Sequence, residues 1–274
     1  MPKNDLNDLF NMLNKLRISL VILNNKVDRW IKPRKKKGSY CSINGNNYEK
    51  QIHKVIKQLV YNGKKFTKQS ITELGGSTCS NDLNCIYNDK IIGIEAKKCN
   101  TPDWMQCSLK YNNKSWVSST KGKIPVLSRN IFNNIFRNVI LFDGKIPPFF
   151  NRKIKHEEWL DIKKNTNQWN DAYFHIKNDT IKNLYIAKGC YYIQISTYGL
   201  YHLGDDIYNF NVPEFICEQQ VRIRTKIHTR KDKNGFCSLS VTAACQPKDI
   251  KTLTKSKYSL DDISKIPKNL SINQ

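Results

Sequence analysis

The stretch Asn81-Asp82-Leu83-Asn84-Cys85-Ile86-Tyr87-Asn88-Asp89-Lys90-Ile91-Ile92-Gly93-Ile94-Glu95-Ala96-Lys97-Lys98 limits what this chain can fold into more than any other part of it. Leu83 to Tyr87 and Ile91 to Ile94 are runs of strand-forming residues. Asn88-Asp89 lies between them, and Asn and Asp tolerate the positive φ of a tight hairpin turn. With those two residues as the whole loop, Tyr87 faces Lys90 and Ile86 faces Ile91. Counting back pair by pair brings Asp82 opposite Glu95. Opposed side chains in an antiparallel pair have Cβ atoms roughly 4.5–5.5 Å apart. Lys97, two residues beyond Glu95, projects from the same face.

Carboxylates set opposite one another repel, and sheets ordinarily avoid the arrangement. A hard divalent cation between them removes the objection. Mg²⁺ takes oxygen ligands in octahedral geometry, commonly one or two carboxylates and a substrate phosphate; Mn²⁺ is the second candidate. The lysine beside them would position the attacking water or neutralise charge building up on the phosphate. The expected hairpin thus points to metal-assisted hydrolysis of a phosphodiester. The plain alternative is the solvated face of an ordinary hairpin.

At these residues the chain resembles the PD-(D/E)xK, or restriction-endonuclease-like, nucleases. Their signature is an Asp at the start of one strand and Glu-x-Lys on the next, here Asp82 and Glu95-Ala96-Lys97. The family's Pro before the Asp is Asn81. The resemblance spans about Tyr48 to Tyr111 and implies an α/β fold with a mixed central β-sheet flanked by helices. It also implies Asp82 and Glu95 as metal ligands and Lys97 as the residue assisting the water. A helix before the hairpin often carries a Glu that reaches the metal, and Glu49 matches it, with His53 one turn later. Glu49 equally suits the N3 position of a capping box with Asn46 as N-cap, and the two readings are compatible. Family members also place a Gln near the scissile phosphate on a helix after the hairpin. Gln106 is the candidate, on a helix that Thr101 would cap, with Pro102 and Asp103 in its first turn; an exposed helix residue is the alternative. The Gln-x-x-x-Tyr spacing of some exonuclease branches is not met, because Tyr111 is five residues on.

The charge fits such a substrate. The 274 residues carry 46 Lys and Arg against 23 Asp and Glu, a formal net charge of +23. That excess calls for a polyanionic partner, nucleic acid first and an acidic membrane surface second. Abundant Asn and Ile beside Lys also match an AT-rich coding bias, which accounts for part of the lysine excess. The nine cysteines form no CxxC pair and no zinc-type spacing. Their odd number, with no signal peptide, points to reduced thiols in an intracellular compartment, cytoplasm or nucleus. No apolar run reaches the length of a membrane span.

Elsewhere, Leu6, Leu9, Phe10, Leu13, Leu16, Leu20, Leu23 and Val27 mark an amphipathic helix over residues 1–31, a packing, docking or homodimer element. A basic linker, Lys32 to Gly38, follows it. Tyr48, Ile52, Val55, Ile56 and Leu59 give a helix over about 47–61. Glu73 is a reserve carboxylate, and Gly75-Gly76 permits close backbone approach. Residues 128–142 read as helix then strand, 155–169 as helix, and 185–196 as strand. In Val221 to Thr229 apolar residues alternate with Arg222, Arg224, Lys226 and His228, and Arg230 extends the row. As a strand this has a basic face suited to a nucleic-acid backbone; a charged edge that discourages strand pairing is the alternative. Lys231–Gly235 turns into a partner strand over 236–244.

The expected organisation is an N-terminal helix and basic linker (1–37), a nuclease domain (38–248) and a loosely held polar tail (249–274). The expected function is Mg²⁺-dependent hydrolysis of DNA, endonucleolytic, with Asp82, Glu95 and Glu49 on the metal. The rivals are a nucleic-acid-binding protein without catalysis on the same scaffold, and a nuclease acting on RNA.

Overall fold

A computed structural model of the chain describes residues 37–65, 67–68, 81–87, 90–101, 103–119, 124–137, 139–147, 150, 152–228 and 231–273. The expected helix over 1–31, the linker residues 32–36, Glu73, Gly75-Gly76, the loop residues Asn88 and Asp89, and Arg230 lie outside these. The chain divides into two units at Asn44/Gly45, and the second, Gly45–Gln274, carries the architecture below.

The fold is mixed α/β, with three sheets where one central sheet was expected. Helix α1 (Lys37–Ile56) begins ten residues before the expected start and runs through Asn44-Gly45-Asn46-Asn47. A helical Gly costs only about 1 kcal/mol against Ala, so this turn-like run does not end the helix. Asn46 is therefore mid-helix and the capping box at Glu49 does not exist. Leu59–Tyr61, expected to finish the helix, is instead strand β1, paired with β2 (Lys64–Lys65).

The first large sheet has the order β11-β10-β5-β4-β3. It comprises β3 (Thr67–Lys68), β4 (Leu83–Tyr87), β5 (Lys90–Lys97), β10 (Cys190–Ile195) and β11 (Gly199–His202). β4 and β5 pair antiparallel from Tyr87↔Lys90 to Leu83↔Ile94, the register that a connection of Asn88 and Asp89 alone requires. β10 lies parallel to β5, with Ile193 beside Glu95. Helix α1 covers one face of this sheet. Its Tyr48, Ile52, Val55 and Ile56 share a core with Leu83, Cys85, Ile92, Ile94, Tyr192 and Leu200.

The second large sheet runs β7 (Ser115–Ser118), β6 (Met105–Asn112), β13 (Cys237–Pro247), β12 (Gln219–Ile227), β9 (Ala172–Ile176), with the short β8 (Lys153–Ile154) against β13. The β12–β13 hairpin is the expected one, paired from Ile227↔Leu239 to Gln219↔Pro247. β6 replaces the helix expected after Thr101. Met105, Cys107 and Leu109 are buried, while Gln106, Ser108 and Lys110 are exposed. That period of two suits a half-buried strand, and pairing with β13 overrides the capping signal. Thr101 does not cap a helix: its Oγ1 donates to the Lys98 carbonyl at 2.7 Å.

Helices α2 (Val126–Phe136) and α4 (Thr180–Ile186) pack on the inner face of this sheet, sharing one core with Cys107, Leu109, Val221, Ile223, Val241 and Cys245. Of two expected strands, one is missing among the described residues and the other is shorter than foreseen. None follows α2 among the described residues, and 185–186 close α4 before β10 starts at Cys190. Helix α3 (His156–Asn165) ends four residues short of the expected bound and buries Trp159.

Residues 249–273 are not a loose tail. β14 (Leu270–Ile272) pairs with β1, and Tyr258, Leu260 and Leu270 are buried in the α1 core. Gln194, fully buried on β10, accepts from the Leu260 amide at 2.8 Å and donates to Ser259 Oγ at 2.8 Å. Tyr48 Oη donates to Asp261 at 2.7 Å. The segment reads as polar because its apolar residues are few, yet Leu253, Tyr258, Leu260 and Leu270 among them are buried.

Candidate active site

Asp82 stands one step beyond the last β4–β5 pair, Leu83↔Ile94, which sets it beside Glu95. One carboxylate oxygen, Oδ2, accepts from the Ala96 amide at 3.0 Å and lies 3.2 Å from Lys97 Nζ. Lys97 Nζ is 2.5 Å from Glu95 Oε1. Strand pleating and hairpin register therefore bring together the three side chains the sequence singled out. They are largely withdrawn from solvent: Asp82 is 7 % exposed and Glu95 1 %.

Glu49 belongs to the same group. It is buried on α1, and its Oε2 has no hydrogen-bond partner among the described residues. Burial pushes its pKa up to about 7, helped by the charges of Asp82 and Glu95 and opposed by Lys97 and Lys188. A group that feels all four charges shares their cluster.

The sequence reading missed Lys188. Its Nζ lies 2.9 Å from Glu95 Oε2, so each oxygen of Glu95 holds one ammonium group. Lys188 arrives through the end of α4: Gly189, with φ +84°, turns the chain into β10 immediately after it. A Gly just past a helix end, before an apolar strand, marks the corner in the sequence but not the carboxylate that Lys188 meets there. Tyr185 is fully buried, with the two ammonium groups 5.7 Å (Lys97) and 5.4 Å (Lys188) from its ring centroid. Cys190 donates to Asn81 Oδ1 at 3.1 Å. Gly93 sits in this packing with no room for a side chain, since a Cβ there would overlap the Gly189 carbonyl and the Asn81 carboxamide.

The charges are mutually stabilised. Burial pushes Asp82 up, but Lys97, Lys188 and the Ala96 amide outweigh it and leave its pKa below the ordinary value. Burial acts to lower both lysines, yet the carboxylates win and both stay above the usual ammonium range. Burial and then Asp82 push Glu95 upward, against the two lysines. An ammonium on each oxygen leaves no place for a carboxyl proton, so Glu95 is ionised in this arrangement.

As a cation site the cluster fits in chemistry: its donors are carboxylate oxygens, as Mg²⁺ or Mn²⁺ requires, and the orphaned Glu49 Oε2 is an unused one. As placed, however, no three metal-ligating groups among the described residues stand together closely enough to hold an ion. Lysine ammonium groups occupy both oxygens of Glu95 instead.

The other expected residues lie on the second large sheet. Gln106 is exposed on β6 and shares a row with Ala244 and Arg222, since both pair with Ala244 of β13. It stands on the same sheet face as the basic residues of β12, not on the strands bearing the acidic pair. Arg222 and Arg224 are each 3.2 Å from Asp103 Oδ2, and Arg222 Nε is 3.7 Å from Asp171. Two of the expected phosphate-binding cations are thus engaged within the protein. Lys226 and His228 are exposed; the His228 ring bonds Ser240 Oγ at 3.0 Å.

Compared with family models, curated proteins and solved structures, the chain finds no match. No helix among the described residues is long and apolar enough to cross a membrane.

Proposed function

We propose that this protein is a divalent-metal-dependent nuclease that hydrolyses phosphodiester bonds of DNA, acting as an endonuclease. The observation that carries the reading is the convergence of Asp82, Glu95 and Lys97 across the β4–β5 hairpin, with Glu49 brought in from α1. The order of elements supports it: a helix, a hairpin bearing Asp and Glu-x-Lys, then a helix and a strand parallel to the Glu-x-Lys strand. In this reading β6 to β9 interrupt the core between β5 and α4, and β12 and β13 join the second sheet after β11.

In this reading Asp82 and Glu95 would hold the ion, with Glu49 as a further oxygen ligand. The ion, Mg²⁺ or Mn²⁺, would supply Lewis acidity and a more acidic bound water. Lys97 would orient the attacking water and offset charge growing on the phosphate. The exposed face of the second sheet, with Lys226 and His228, would carry backbone phosphates; Gln106 lies on the same face.

A second reading, nucleic-acid binding without catalysis, is favoured by one observation: both Glu95 oxygens are already neutralised by lysines. Plasmid nicking and linear-duplex cleavage in Mg²⁺, with EDTA as control, separate the two. Cleavage that disappears in Asp82→Ala and Lys97→Ala while DNA binding persists supports the enzyme; binding with no cleavage in either metal supports the second reading. A labelled RNA competitor reports which polymer is preferred.

A further inference from the structure

Lys188 is the least expected member of the acidic cluster. Its side chain is only 5 % exposed, and its one ion pair among the described residues is with Glu95. It comes from the α4–β10 corner, far along the chain from the hairpin, at a place fixed by Gly189 in the left-handed region. The same corner packs against Gly93, so its position cannot shift without moving β5.

The charge balance gives this placement a consequence. Asp82 and Glu95 contribute two negative charges, and Lys97 and Lys188 two positive ones. The charges of these four side chains cancel. A divalent ion entering the cluster would add two positive charges, with Glu49, buried on α1, the remaining carboxylate to answer them. A phosphodiester brings the missing negative charge. Ion and phosphate should therefore bind with positive coupling, each raising the affinity for the other.

We propose that Lys188 is an internal counter-cation that holds Glu95 until substrate arrives and so keeps the site's affinity for a free divalent ion low. It is a positioning residue, acting through Glu95. The inference rests on the nuclease reading and adds to it a dependence of metal binding on the phosphate.

The test is Mn²⁺ binding followed by electron paramagnetic resonance of the free ion at pH 8, with and without a short phosphorothioate DNA duplex. Wild type should bind Mn²⁺ weakly alone and at least about tenfold more tightly with the duplex, a conservative figure for unit charges this close. Lys188→Met should bind Mn²⁺ alone at least about tenfold more tightly than wild type, and Lys188→Arg, which keeps the charge, should behave as wild type. A Lys188 that merely supported Glu95 would give the opposite sign, weaker Mn²⁺ binding in the Met variant. That result, or no change, overturns the proposal. If the Met variant does not fold, the wild-type comparison still decides: equal Mn²⁺ affinity with and without duplex refutes the coupling. Cleavage by wild type without Met-variant tightening sinks this inference alone. A wild type that neither binds Mn²⁺ under either condition nor cleaves sinks the nuclease reading with it.

Discussion

In the β4–β5 hairpin the charged residues turn inward, and in the β12–β13 hairpin they turn outward. Both are antiparallel pairs with alternating side chains, and both carry a row of charge on one face. Asp82, Glu95 and Lys97 are closed in by the α4–β10 corner, where ions of opposite sign compensate one another. Arg222 and Arg224, on a face no helix covers, look available to a partner yet close onto Asp103. A place on the basic face of a strand is thus a poor guide to which charges are free. Where the carboxylates lie decides it, and one of them, Asp103, stands in the loop before β6, over a hundred residues from the arginines it holds.

The contrast breaks most sharply in activity. Asp82→Asn should lower Mg²⁺-dependent DNA cleavage about a thousandfold, roughly 4 kcal/mol at 1.36 kcal/mol per decade, while Arg224→Gln should leave most of it. Comparable losses in both variants would mean the two rows form one site. Next comes Gly93→Ala, which forces a methyl into the Asn81 and Gly189 backbone packing; urea denaturation should show a loss of at least about 3 kcal/mol. An alanine at positive-φ Gly235, in the β12–β13 turn, meets no neighbour and should cost less.

Glu49 supplies a pH test of the inward cluster. Its folded pKa, about 7, lies above its ordinary value of 4.5, so the folded state holds its proton more tightly than the unfolded chain. The stability this confers is complete below about pH 4.5 and lost as pH rises through 7. Glu49→Gln does not titrate. Its stability relative to wild type should therefore rise by up to about 3 kcal/mol between pH 4.5 and pH 8, read from urea midpoints at each pH. A pH-independent difference would place Glu49 outside the cluster.

The outward row gives smaller effects. Asp103→Asn should destabilise the protein by about 2 kcal/mol, because two half-buried guanidinium groups lose their shared carboxylate. It should also strengthen DNA binding, since the arginines are released. Lys226→Gln should leave stability unchanged and reduce the slope of log affinity against log salt by about 0.9, one phosphate's worth. An unchanged slope would remove Lys226 from the binding face.

Local sequence settled the pairing within each hairpin. Asn88-Asp89 between apolar runs gave a register in which only Asp82 could meet Glu95, and the Val-Arg-Ile-Arg alternation gave β12 its two faces. The strand after Thr101 was also written there, in the alternation of Met105 to Lys110. The stronger-looking Thr-Pro-Asp cap concealed it, because a cap signal carries about 1 kcal/mol and pairing with β13 outweighs it. Lys188 beside Glu95, Asp103 beneath the arginines, and Leu260 and Leu270 in the α1 core could not be read in advance. Each is a contact between residues distant along the chain. Nothing local to either partner records such a contact, because its energy exists only once the sheets and helices have closed around it.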